Sequence, residues 1–287
     1  MADPARAGVQ KESVLESWDR LAAQWDERTR IINRWFEPAT RWLMTQLDLR
    51  PGETVLEVAA GAGAWTPRLS RAVGPTGRVV VTDGAPGMVD LARRNAERLG
   101  LPNVETRVMD GEHPDPELAP VDAIACRQGL MFFPRPADAL ASWRGLLGPR
   151  GRVAVSVFGP ATRNGFLAVP VEILTRWAHP EGPPPEPPGG PGPFSLARPG
   201  KLERLIAEAG FGDVRTEAIS CPLRLEDPGE LVRFYRMLLD GIVDELPEER
   251  RTLAWSEVER AAAKFAGPSS PGAPCELLVA SAHGSEG

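Results

Sequence analysis

Thr54-Val55-Leu56-Glu57-Val58-Ala59-Ala60-Gly61-Ala62-Gly63 is the stretch that decides the fold of this 287-residue chain. Val55, Leu56 and Val58 form a short apolar run that reads as a buried parallel strand. The run passes into small residues, Ala59 to Ala64. Without bulky side chains the backbone there can turn sharply and come close to a ligand. A second apolar run, Val79-Val80-Val81, ends at Asp83, 20 positions past Gly63.

A carboxylate at the tip of the second strand, beside a glycine-rich first loop, is placed to accept hydrogen bonds from a ribose diol. The pattern points to a nucleoside-containing cofactor on a Rossmann-like sheet. A dinucleotide fingerprint would need a third small residue three positions after the second glycine. From Gly61 and Gly63 that position is Thr66, a miss; counting from Ala59, Gly61 and Ala64 gives only a loose fit. The following Trp65-Thr66-Pro67 is bulky for a diphosphate. Glu57, inside the strand, adds negative charge and suits a cationic ligand such as an ammonium or a sulfonium.

Outward from this stretch, strand and helix alternate: strand 54–59, helix 66–73, turn 74–77, strand 78–83, helix 86–99, strand 104–109, strand 121–126, helix 136–147 and strand 152–158. Such alternation predicts a mostly parallel sheet covered on both faces, with ligands beyond the C-terminal strand ends. The segment 1–50 reads as N-terminal helices preceded by a disordered residue 1–10 stretch, 51–159 as the cofactor-binding core, and 160–197 as a cap insertion. That insertion carries a helix over 166–177 and an exposed proline-rich loop over 180–193, which cannot be a helix or a central strand. Residues 198–287 return to the core, with a helix over 199–209, a sixth strand after Gly210, a helical insertion at 227–266 and a last strand at 275–281.

Composition narrows the function classes. The net charge is −6 and no basic stripe is present, which excludes nucleic acid as the expected partner. No apolar run approaches 18 residues and the N-terminus lacks a signal-peptide pattern, so neither membrane insertion nor export is expected. Cys126, Cys221 and Cys275 are widely spaced, lack metal-ligand spacing and fit a reducing cytoplasm. No metal site is expected. Cys126 reads as buried packing rather than as a nucleophile.

Five motifs in order carry a resemblance to a known family. They are Val55 to Gly63, Asp83-Gly84-Ala85-Pro86-Gly87-Met88, Val108-Met109-Asp110-Gly111-Glu112, Asp122 to Pro134 and Leu146 to Arg152. Together they resemble the class I S-adenosylmethionine-dependent methyltransferases, in the small-molecule branch typified by ubiquinone and menaquinone C-methyltransferases. Ala59, Ala62 and Ala85 stand where that family often has glycine, threonine and serine; all remain small. The resemblance implies a seven-stranded sheet whose last strand inserts antiparallel, and an N-terminal helical segment lying over the cofactor as a lid. It implies S-adenosyl-L-methionine as cofactor. Ala59, Gly61 and Gly63 would meet its methionine part, Glu57 its ammonium, and Arg127 and Gln128 its carboxylate. Asp83 with Gly84 would hold the ribose, and Met88, Asp110 and Gly111 the adenine. Trp25 would cover the cofactor from the lid, since aromatic faces stabilise sulfonium cations.

The implied activity is methyl transfer to a small, fairly apolar molecule, aromatic, quinone-like or polyketide-like, performed mainly by in-line positioning. Oxygen, carbon and nitrogen stay open as the acceptor atom, and so does a homodimer. Among His113, His179 and His283, only His179, in the cap insertion, is a candidate base. Two rival readings stand beside this one: an enzyme that binds the cofactor but catalyses a cyclisation or rearrangement, and a non-catalytic cofactor-binding protein.

Overall fold

The computed structural model describes residues 4–182, 190–267 and 270–284. Its centre is a seven-stranded sheet in the order β3-β2-β1-β4-β5-β7-β6. The strands are β1 (Thr54–Val58), β2 (Arg78–Asp83), β3 (Val104–Val108), β4 (Val121–Arg127), β5 (Leu147–Phe158), β6 (Phe211–Ser220) and β7 (Glu276–Gly284). β1 runs parallel to β2 and β4, β2 to β3, and β4 to β5. β7, last in sequence, inserts antiparallel beside β5 with Val155 opposite Ala280. The apolar runs explain this core: Val55, Leu56, Val58, Val79 and Val80 have no solvent exposure, as expected of parallel strands covered on both faces.

The helices α1 (Pro4–Glu27), α2 (Thr29–Trp35) and α3 (Glu37–Leu47) precede the sheet. α4 (Thr66–Val73), α5 (Pro86–Arg98) and α6 (Pro136–Leu146) connect its parallel strands. Each of these three has a proline in its first turn, where the missing N–H would have no helical partner. Later in the chain come α7 (Gly165–Ala178), α8 (Lys201–Glu208), α9 (Pro228–Leu239) and α10 (Glu248–Ala262).

The chain divides into two compact units. The first comprises Met1–Phe158, Gly190–Ile219 and Leu277–Gly287 and contains the sheet. The second comprises Gly159–Gly189 and Ser220–Glu276, so both helical insertions belong to one body. Within it, α10 packs on α7 and α9 around the buried Phe166, Leu174, Phe234, Tyr235 and Trp255. No helix among the described residues is long and apolar enough to cross a membrane.

Two local expectations are revised. Residues 4–10 are helical rather than disordered, because α1 begins at Pro4. Residues 1–3 lie outside the described residues, as do 183–189 of the proline-rich loop. Residues 148–151, between the expected helix 136–147 and strand 152–158, are absorbed into β5, which starts at Leu147; the pairing with β4 shifts register between Val121 opposite Leu147 and Ala123 opposite Arg152.

Candidate cofactor site

The order of the sheet reverses between β1 and β4, and a ligand crevice is expected there beyond the strand ends. Behind β1 the backbone turns through left-handed conformations at Ala59 (φ +51°), Gly61 (φ +57°) and Gly63 (φ +77°). Ala60 N–H donates to the Thr82 carbonyl at 3.0 Å, tying the loop to β2. A Cβ on Gly63 would meet Thr66 Oγ1 at 3.1 Å and Ala92 Cβ at 3.4 Å, so the loop packs closely on α5. Gly61 differs. A Cβ there would have Trp25 Nε1 at 3.8 Å and Met88 Sδ at 3.9 Å. Gly61 is therefore bordered by Trp25 and Met88 at ordinary contact distance. The β4 loop closes the other side: a Cβ on Gly129 would lie 2.4 Å from Ala59 Cβ.

Asp83 ends β2 half-buried beneath this loop. Its Oδ2 accepts the Gly61 N–H at 2.9 Å and its Oδ1 accepts the Ala85 N–H at 2.9 Å. An ionised carboxylate has about four acceptor positions, so both oxygens keep capacity for a diol. Burial pushes the Asp83 pKa up, and the amides of Ala85, Gly61 and Gly84 offset only part of that.

Glu57 is buried, at 2% exposure, and its Oε2 accepts the Thr66 hydroxyl at 2.6 Å. Burial pushes this carboxyl up to about 7; the Thr66 bond and Arg127 pull it down and Asp83 pushes it further up. The folded protein therefore binds a proton more tightly at Glu57 than the unfolded chain does, and stability contributed by this site falls as pH rises from 4.5 through about 7. Glu57→Gln is expected to remove that fall, worth about 3 kcal/mol. Urea titrations of both proteins across the window check it; parallel curves would contradict the buried charge.

Arg127, at the end of β4, is anchored by α2 and α3. Its Nη1 donates to Thr40 Oγ1 at 3.0 Å and to Asn33 Oδ1 at 3.3 Å, and its Nη2 to the same Asn33 oxygen at 3.3 Å. The rings of Phe36 and Trp65 flank it at 6.0 and 5.8 Å. Burial lowers its pKa to about 10. Gln128 adopts φ +65°. Its N–H donates to the Ser156 carbonyl at 2.9 Å and its Nε2 to Ser156 Oγ at 3.0 Å, while its buried Oε1 has no hydrogen-bond partner among the described residues. Cys126 has no solvent exposure, and burial pushes its thiol up to about 12, which suits packing.

Asp110 follows β3. Its Oδ2 accepts Lys11 Nζ at 2.8 Å and its Oδ1 the Glu112 N–H at 2.9 Å. Burial alone would raise its pKa, but the Lys11 and Glu112 bonds hold it below the usual range. Asp110, Glu112 and His113 could offer converging atoms to a metal. Lys11 already pairs with both carboxylates, and His113 Nε2 meets Arg135 Nη2 at 2.8 Å. The cluster is neutralised by the chain itself. Gly111 is wedged into the core, where a Cβ would lie 2.5 Å from Phe133 Cζ, and its carbonyl accepts Trp143 Nε1–H at 2.7 Å.

The structure thus gathers Glu57, Ala59, Gly61, Gly63, Asp83, Gly84, Met88 and Trp25 about the β1 and β2 tips, with Asp110 and Gly111 at β3. His179 is exposed and lies in the second unit, where it ends α7 with its N–H on the Thr175 carbonyl at 2.8 Å. Sequence reasoning missed Lys11, Leu15, Asp19, Asn33 and Thr40. The only signal for the first three was their common helical face with Ala22 and Trp25.

A glycine turn over a strand-end carboxylate, at the switch point of a mostly parallel sheet, defines an α/β enzyme built for a nucleoside cofactor. Comparison with known proteins narrows the class. A methyltransferase domain family model matches residues 55–151. The aklanonic acid methyltransferase DauC of Streptomyces sp. (strain C5) is 32% identical over 164 residues, covering 57% of this chain and 72% of DauC. The ubiquinone/menaquinone biosynthesis C-methyltransferase UbiE of Pseudomonas savastanoi pv. phaseolicola is 32% identical over 158 residues, covering 53% of this chain and 60% of UbiE. The solved structure of the [4+2]-cyclase SpnF is 17% identical with a TM-score of 0.58, covering 94% of this chain and 96% of SpnF, which shows a shared fold. This chain belongs to the S-adenosylmethionine-dependent methyltransferases, and S-adenosylmethionine is its cofactor.

Proposed function

We propose that the protein transfers a methyl group from S-adenosylmethionine to a small, fairly apolar acceptor of aromatic, quinone-like or polyketide-like type. The single observation that carries the reading is the pairing of Gly61 N–H with Asp83 Oδ2 in a left-handed turn that Trp25 and Met88 border. That arrangement sets a ribose acceptor beside a turn whose backbone carries no bulky side chain. The donor set fits the cofactor: a buried carboxyl at Glu57 for cationic groups, Asp83 for hydroxyls, and Met88 with Asp110 and Gly111 for a base. The cofactor supplies a positive sulfur whose methyl group is transferable and which leaves as a neutral thioether.

The chain's own contribution is placement and dryness. Gly61 and Gly63 let the backbone approach the ligand closely, and Asp83 fixes the loop as well as the sugar. Trp18 and Trp25 meet edge to face at 5.2 Å, and Trp18 meets Phe132 at 5.5 Å. These rings form an apolar wall that keeps water from a reacting cation. Holding a nucleophile in line can supply about 7–11 kcal/mol of the barrier. A base is needed only where the acceptor's proton must leave early.

The relatives support small-molecule acceptors by their printed names, which refer to aklanonic acid and to ubiquinone and menaquinone biosynthesis. The test is incubation with methyl-labelled S-adenosylmethionine and a panel of phenols, quinols and aklanonic acid. Label in an organic product is the expected result. A product formed at full rate without label would turn the reading to a cyclisation or rearrangement. Failure of calorimetry to detect S-adenosylhomocysteine binding would remove cofactor use altogether.

A further inference from the structure

One face of α1 touches the crevice motifs in sequence. Lys11 Nζ pairs with Asp110 Oδ2 at 2.8 Å and with Glu112 Oε2. Leu15 covers Gly84 so closely that a Cβ there would lie 2.6 Å from its Cδ2. Asp19 Oδ1 accepts the Gly87 N–H at 2.6 Å. Ala22 packs with Ala62, Ala85 and Met88, and Trp18 and Trp25 pack against that group. Asp26 Oδ1 accepts an Asn95 Nδ2–H at 2.7 Å. Positions 11, 15, 19, 22 and 26 repeat at helical spacing, so a single stripe makes every contact. The helix therefore lies across the positions assigned above to adenine and ribose, and a cofactor seated there leaves only when α1 lifts.

α1 ends at Glu27 and α2 starts at Thr29, which leaves Arg28 as the joint. Lys11 is about 25 Å along the helix from that joint, at the far end, where the smallest holding force resists opening best. Its partners make the contact demanding. The Glu112 side chain is 1% exposed and its other oxygen accepts the Arg135 N–H. A buried carboxylate stripped of its counter-charge is strongly destabilised. Lifting α1 withdraws the ammonium from Glu112, and the penalty falls on the open state.

We propose that Lys11 is a cofactor-retention residue: its ammonium, clasped between Asp110 and Glu112, holds α1 shut over the adenine end, and cofactor and demethylated product exchange only when this clasp opens. The proposal rests on the cofactor reading above.

The experiment is stopped-flow tryptophan fluorescence of S-adenosylhomocysteine binding to the whole chain, with calorimetry for affinity. Lys11→Met keeps the alkyl stem and removes the charge. It is expected to speed dissociation about tenfold and to speed association as well, so that affinity falls by less than the off-rate rises. Lys11→Arg, which keeps the charge, is expected to stay near the wild-type rates. Where Lys11→Met lowers the melting temperature, Lys11→Met with Glu112→Gln restores the charge balance; stability is expected to recover while exchange stays fast. Rates that recover together with stability would make the role structural and overturn the clasp. Unchanged rates, or faster dissociation with unchanged association, would overturn it too. Absence of binding by the wild type would instead remove the cofactor reading, and the proposal with it.

Discussion

Asp83→Ala is expected to weaken S-adenosylhomocysteine binding by about two orders of magnitude. The substitution causes two losses at once. It deletes the acceptors offered to the ribose, and it frees the Gly61 and Ala85 amides that shape the loop. Charge-assisted hydrogen bonds are about twice as strong as neutral ones, so the ligand contacts dominate. The fold should persist, because β2 is held by its register with β1 and β3 along its whole length. Asp83→Asn keeps the shape and one acceptor oxygen and should fall between the two. Calorimetry gives the affinities and far-ultraviolet circular dichroism the fold; undiminished affinity in the alanine variant refutes the ribose assignment.

Trp65→Ala is expected to cost about 3–5 kcal/mol of stability, the range for truncating a buried tryptophan. Trp65 is 1% exposed, directly after the first loop. Its Nε1 donates to Met44 Sδ at 3.2 Å, joining the loop to α3. Its ring also flanks the Arg127 guanidinium. Truncation opens a void beside a buried charge, and both effects act in the same direction. Trp65→Phe preserves most of the volume and should cost much less. Urea unfolding measures both; equal stabilities for wild type and Trp65→Ala would mean the site collapses around the gap.

The sheet was legible because its signals are local. A parallel strand buried on both faces needs an unbroken apolar run, and Val79-Val80-Val81 is one. The helix expected at 66–73 and the strand expected at 78–83 appear with those boundaries. The errors fall where distant residues decide. Residues 4–10 read as disordered because the partners that hold the helix they begin, α5 and the β3 loop, lie far along the chain. The start of β5 is hidden by Gly148-Pro149, which reads as a turn but lies in the register shift between Leu147 opposite Val121 and Arg152 opposite Ala123. Arg127, whose backbone or guanidinium the resemblance sets against the ligand's carboxylate, has partners that are equally distant in sequence. Its hydrogen bonds to Asn33 and Thr40 cross separations of 94 and 87 residues, which no spacing rule reveals. The same is true of Lys11 and Asp110, 99 positions apart.

The two excursions that build the helical unit leave the sheet-bearing part after Phe158 and after Ile219 and rejoin it at Gly190 and Leu277. Every residue discussed at the glycine turn, the strand-end acids and α1 lies outside them. The helical body is in that sense a removable module inserted by two splices: exchanging 159–189 and 220–276 together for the equivalents of a relative would transplant it whole, leaving the nucleoside-reading machinery with its native sequence.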